Sequence, residues 1–233
     1  MFRLIKWLIA LPVAVFIFFN AYVYGNILTY RAIAPHQTAF MGMRMKQFQE
    51  EGRDVALDYR WVSYERISTN LKKALIASED AKFAEHAGFD WSGIQSAIKR
   101  NEKSGEVKAG GSTISQQLAK NLFLNDSRSY IRKGEEAAIT AMMEAVTDKD
   151  RIFELYLNVI EWDYGVFGAE AAAQKFYKKP ADNLTKQQAA KLAARVPAPL
   201  FYADNPKSKR LRAKTNIILR RMGSAELPET DTE

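Results

Sequence analysis

The chain has 233 residues, 47% of them hydrophobic, enough to bury one sizeable core, which excludes a disordered tail and a disulfide-stapled mini-protein. With no cysteine and only two histidines, the usual Cys/His zinc clusters and thiol nucleophiles are excluded as well. Lys and Arg number 34 against 27 Asp and Glu, a net charge of +7, which suits phosphates in nucleic acid or at a membrane without choosing between them.

The chain opens on a run without charge from Trp7 to Tyr30, which as a helix reaches roughly 36 Å against a hydrocarbon core of about 30 Å. Trp7, Tyr22, Tyr24 and Tyr30 suit the interfacial aromatic belts, and Arg3 and Lys6 before the run place the short N-terminus in the cytoplasm. The alternative is a signal peptide cleaved near Val23-Tyr24-Gly25, although such apolar regions usually run only about 7–15 residues. Arg31 to Arg60 is mixed; its patch Phe40, Met41, Met43 and Met45 suits either core or lipid.

Helical periodicity dominates the rest and strand alternation is almost absent, which predicts an all-α domain. One helix begins near Ser68 and carries Leu71, Ala74 and Leu75. The charged stretch Lys99 to Lys108 has no apolar face and is expected to be a mobile loop. A helix follows Gly110-Gly111, with Thr113 and Gln116 at capping-box spacing, and runs to about Leu124. Further helices cover Tyr130 to Thr147, Asp150 to Ile160, Thr185 to Arg195 and Leu211 to Met222, before an acidic tail at Glu226 to Glu233.

Polar residues interrupt these stripes. One turn beyond Leu75 comes Glu79, so a carboxylate sits on the face meant for the core, unless the helix ends at Ser78 and both Glu79 and Asp80 are solvated. Thr113, Gln117 and Lys120 form a polar line starting at a helix N-terminus, which suits a phosphate or a solvated flank. Arg128, Arg132 and Lys133 precede Glu135 and Glu136, and periodicity leaves open which glutamate faces a cleft. Two carboxylates on separate helices beside a concentration of cations suit glycosyl transfer from a phosphorylated sugar.

Ser78 to Asp90, SEDAKFAEHAGFD, resembles the first signature of glycosyltransferase family 51, the peptidoglycan polymerases. GGSTISQQLAKN at 110–121, RKGEE at 132–136 and KDRIFELYLN at 149–158 resemble the second, third and fourth, in order. With the GAEAAAQKFY run and the stretch from Gln188 to Pro199, the resemblance spans about residues 60–222, and the absence of a second catalytic domain resembles the monofunctional members. The family implies a lysozyme-like globular lobe with a smaller membrane-associated jaw lobe. It implies polymerisation of lipid II onto a growing β-1,4-linked glycan chain with release of undecaprenyl diphosphate, at the extracytoplasmic side of the inner membrane. By position, Glu79 resembles the general base and Glu136, rather than Glu135, the glutamate that helps the diphosphate depart. Thr113, Gln117, Lys120, Arg128, Arg132 and Lys133 match positions that handle donor phosphate or sugar, and Asp80, His86, Gln116 and Asn121 match positions that shape the cleft. An α-linked donor giving a β product is an inversion, so the two carboxylates are expected to stand well apart.

Asp163 and Lys178 stand where the family more often has glycine, and Ala198 where asparagine is common. The resemblance implies a divalent metal, Mg or Mn, as an aid to the diphosphate, no organic cofactor, and partners that include the bilayer and division or elongation proteins. The division expected is a cytoplasmic N-terminus at 1–6, a transmembrane helix at 7–30, the glycosyltransferase domain at 31–222 and the tail at 223–233. Two rivals stand beside this reading. A lysozyme-like lytic enzyme needs no phosphate-gripping line; a membrane-anchored scaffold would use the basic stretch Lys207 to Arg221, and nucleic acid is excluded outside the cell membrane.

Overall fold

A computed structural model describes residues 2–105, 111–127 and 129–229, with side chains from Ala10 onward, so that Arg3, Lys6 and Trp7 of the anchor argument, Arg128, and parts of the 99–108 and 226–233 stretches lie outside the described residues or side chains. Helix α1 (Phe2–Tyr30) contains one segment, Ala10–Tyr30, long and apolar enough to cross a membrane. Its polar residues are satisfied locally: Asn20, Asn26 and Thr29 donate to the carbonyls of Phe16, Tyr22 and Gly25, as a helix in lipid requires. Leu11, Val13, Val15, Phe16, Ile17 and Phe18 stand exposed, whereas Val23 and Ile27 are buried. The helix therefore has a free apolar half and a docked end. Tyr30 stacks on Phe123 at 6.1 Å, and Arg151 donates to the Tyr30 carbonyl at 2.8 Å.

Helix α2 (Ala39–Glu50) starts at Thr38, whose side chain accepts from Met41 N–H, and buries Phe40, Met41 and Phe48. That answers the patch left open by the sequence: Phe40 and Met41 belong to the protein core. After β1 (Asp58–Tyr59) comes α3 (Thr69–Glu79), capped by Ser68, with Leu71, Ala74, Leu75 and Ile76 buried.

Helix α4 (Trp91–Ser104) overturns the expectation of a loop from Lys99. Asp90 caps its start by accepting from Gly93 N–H, and Gly105, at φ 68°, stops it in the left-handed region. Lys, Arg and Glu are good helix formers, so a charged segment can stay helical in water without a wide apolar face; Ala97 is its buried contact while Trp91 and Ile98 are exposed.

Three helices form the centre: α5 (Ile114–Phe123), α6 (Tyr130–Val146) and α7 (Lys149–Val159). Helix α5 packs on both others and on α2. Strands β2 (Glu161–Asp163) and β3 (Val166–Phe167) complete a small sheet of order β1-β3-β2. Strand β1 runs parallel to β3, with Asp58 opposite Val166, and β2 runs antiparallel to it with an irregularity between Glu161 and Asp163. The fold is otherwise all-α, as the periodicity predicts.

The chain closes with α8 (Ala169–Tyr177), α9 (Lys186–Ala193), α10 (Pro199–Asp204) and α11 (Lys209–Arg221). Helices α3, α9 and α11 pack against one another, which brings the C-terminal basic helix to the end of α3. Asn158, fully buried, exchanges hydrogen bonds with the Val62 backbone, accepting at 3.0 Å and donating at 2.9 Å, and so fixes the lead-in to α3 against α7.

Candidate active site

Glu79 is the last residue of α3 and Asp80 its C-cap. The solvated alternative is therefore set aside: the Glu79 side chain is 9% exposed and Asp80 is buried. Ser78 Oγ donates to Glu79 Oε1 at 2.8 Å and Gln117 Nε2 to Oε2 at 3.3 Å. Lys214 Nζ, arriving from α11, stands 3.7 Å from Oε1. Burial holds the Lys214 ammonium below the ordinary lysine range, and Glu79 opposes that fall.

Asp80 works sideways rather than into the cleft. Its Oδ2 accepts from Ile114 N–H at 3.0 Å, the first residue of α5, where free N–H groups favour an anion. His86 Nε2 lies 3.0 and 3.1 Å from the two carboxylate oxygens, and facing an acceptor it carries the proton. Asp80 thus joins the end of α3 to the start of α5. Gly88, at φ 86°, continues this joint: a Cβ there would lie 2.8 Å from Thr140 Cγ2, so the position requires glycine.

Along α5 the predicted line divides by role. Thr113 is buried; its hydroxyl donates to Gly88 O at 2.6 Å and accepts from Gln116 N–H, while Gln116 returns the bond to the Thr113 N–H. Thr113 and Gln116 are committed to the cap, and Asn121 Nδ2 donates to Gln117 O at 2.7 Å. Gln117 and Lys120 remain for the groove. Tyr156, fully buried, donates its hydroxyl to Gln117 Oε1 at 3.1 Å. Burial, reinforced by Glu79 and Asp80, raises the Tyr156 phenol well above its ordinary value, so it stays a donor and turns the Gln117 amide nitrogen toward Glu79. Burial lowers the Lys120 ammonium, and Glu136 is the largest opposing influence.

On α6, Glu136 is buried and Glu135 is not. Arg132 Nη1 donates to Glu136 Oε2 at 2.6 Å and Lys133 Nζ to Oε1; Lys133 also donates to Ser112 Oγ at 3.1 Å. Glu135 instead lines a separate cavity of about 560 Å³ between α1 and the α5–α6 connection. Helix α5 is the bridge: Gln117 touches Glu79, and one turn on Lys120 feels Glu136.

Sequence reasoning passed over Ser78, Tyr156, Lys214 and a buried pair, Arg44 and Glu161, beside Lys120. Lys214 sat unremarked within a basic run, and Tyr156 within the helix expected at Asp150 to Ile160. Among the described residues no group of three or more His, Asp or Glu side chains is placed to hold a metal ion; the one charged side chain of the polar line, Lys120, is a cation.

A family model described as Transglycosylase matches residues 44–223, a span that contains α3, α5, α6 and the helix bearing Lys214. Over all 233 residues of both chains, this chain is 84% identical to a biosynthetic peptidoglycan transglycosylase of Neisseria meningitidis serogroup A / serotype 4A and 83% identical to one of Neisseria gonorrhoeae. A match that runs through both carboxylates and the helix between them makes the assignment plain: the chain is a glycosyltransferase enzyme and belongs to the transglycosylase family.

Proposed function

We propose that this enzyme polymerises lipid II into β-1,4-linked glycan, releasing undecaprenyl diphosphate, by an inverting single displacement. The observation that carries the reading is a pair of carboxylates, Glu79 half-buried on α3 and Glu136 buried on α6, joined by one polar line, Gln117 to Lys120, on α5. Glu79 takes the proton from the acceptor 4-hydroxyl as that oxygen attacks the donor's anomeric carbon, and the bond to the diphosphate oxygen breaks with its electron pair leaving on phosphate. Gln117 and Ser78 aim the Glu79 carboxylate. Lys120, Arg132 and Lys133 receive the developing negative charge, with Arg128 added by resemblance. Glu136 holds Arg132 and Lys133 at the end of the line, a positioning role that keeps two cations from dispersing into solvent.

The apolar helix α1 supports a single-pass anchor, with residues 31–222 as the catalytic domain on the extracytoplasmic side of the inner membrane. A lipid-linked donor then meets the groove from the membrane, which suits an enzyme whose own helix docks by Val23 and Ile27.

Purified protein incubated with lipid II tests the reading. Wild type should yield polymer, whereas shortening of preformed glycan would mark a lytic enzyme. Glu79→Gln should lose about 10²–10⁴-fold in turnover with its melting temperature kept, and Glu136→Gln should lose turnover as its cations disperse; appreciable polymer from Glu79→Gln removes that residue from the base role. Full activity in both variants would favour the scaffold.

A further inference from the structure

A half-open cavity of about 180 Å³ is lined by Gln117 and Lys120 of α5, Phe40 and Arg44 of α2, Glu161 of β2, and Val196, Pro197 and Pro199. Glu161 is 5% exposed. Its Oε2 accepts from Arg44 Nη2 at 3.1 Å. Arg44 Nε stands 3.0 Å from Oε1 but out of hydrogen-bond alignment, so both buried atoms keep an unused hydrogen-bonding position. Arg44 Nη1 is steadied by Gln47 at 2.8 Å. The Arg44 guanidinium and the Lys120 ammonium share one aromatic ring, lying 5.0 and 5.3 Å from the centroid of Phe40. Two cations and one carboxylate line this cavity, a local positive surplus that suits an anion.

Resting on the lipid II reading above, we propose that Arg44 is a further residue for the donor diphosphate and that Glu161 is its positioning residue, holding the guanidinium beside Lys120. The planar fork of arginine suits phosphate oxygens, and a side chain on α2 reaches this place because Glu161 fixes it across 117 positions of sequence. Burial pushes Glu161 up to about 7; Arg44 of α2 and Lys120 of α5 oppose the rise, and Asp163 on its own strand adds to it. Asp163 is in turn paired with Lys175 of α8 at 3.5 Å. Ionised Glu161 grips Arg44; protonated Glu161 releases it.

Inorganic pyrophosphate isolates the phosphate subsite, as a competitor of lipid II polymerisation and as a ligand in calorimetry. Arg44→Gln and Glu161→Gln should each weaken its binding about tenfold, and the double variant no further than either single one, because the two act as a unit. In wild type the affinity should rise as pH rises through about 7, beyond the probe's own titration, and in Glu161→Gln it should not. Tighter pyrophosphate binding in Glu161→Gln, multiplying effects in the double variant, or matching pH profiles would overturn the proposal. If Glu161→Gln lacks the wild-type circular dichroism spectrum, Arg44→Gln carries the test alone, and unchanged affinity there overturns it. A wild type that makes no polymer yet binds pyrophosphate in this pattern would fail the function and keep the site.

Discussion

Glu161 pays for its place by being a carboxylate where water is scarce. Its ordinary value of 4.5 rises to about 7 through burial, so the folded state holds the proton more tightly than the unfolded chain. Its contribution to stability is fully present below about pH 4.5 and is lost as pH rises through about 7, up to roughly 3 kcal/mol. Urea unfolding of wild type and Glu161→Gln should therefore diverge between pH 5 and pH 8, the variant becoming the more stable of the two as pH rises; parallel curves would contradict the shift. The same ionisation that weakens the fold is the one that holds Arg44, which explains why a site residue sits in a destabilising position. The departures at Asp163 and Ala198 have simple settings. Asp163 is a buried strand residue paired with Lys175, and Ala198 precedes the Pro199 that opens α10 and offers no side-chain cap.

At the scale of elements, helix ends carry most of the site. The last residue of α3, the first turn of α5 and the first two turns of α6 supply Glu79, Gln117 and the cations with Glu136. Helix termini bring unpaired backbone groups, and here Asp80 and Thr113 satisfy them while locking one helix to the next. A second helix end is less well matched. Lys178 caps α8 at φ 56°, the one non-glycine residue in the left-handed region among the described residues. Lys178→Gly should raise stability by about 0.5–1 kcal/mol, the relief of the Cβ clash exceeding the added freedom of the unfolded chain; a loss of stability in thermal unfolding would contradict it. Lys178 donates its backbone N–H to Gln174 O and lines a separate hollow with Asp58, Tyr164 and Lys175, so turnover should stay unchanged.

For the whole molecule, the docked end of α1 decides how much of the fold depends on the anchor. Val23 and Ile27 are buried and Phe19 and Tyr30 pack partly against the core, while the preceding turns expose apolar surface. Removing residues 1–18 should leave the melting temperature within a few degrees of wild type, since Leu11, Val13, Val15, Phe16, Ile17 and Phe18 stand exposed, and should abolish flotation with lipid vesicles. A collapsed circular dichroism spectrum would show instead that the free half supports the fold. On the function proposed above, anchoring then serves the meeting of enzyme and lipid-linked substrate rather than the packing of the domain.

What the sequence determined by itself is whatever is written locally. A charge-free run marks the anchor and helical periodicity marks the all-α class, while a carboxylate one turn past Leu75 raises Glu79 as a candidate beside the alternative of a solvated helix end. Local patterns failed where burial was absent: α4 is a solvated helix whose charged end carries no apolar stripe, so it read as a loop. Only the tertiary structure decided that Lys214 meets Glu79, that Tyr156 turns Gln117, that Glu136 and not Glu135 is buried with Arg132 and Lys133, and that Arg44 crosses to Glu161. Periodicity says which face of a helix turns inward; which partner waits there depends on contacts between segments distant in the chain, and those are settled by packing.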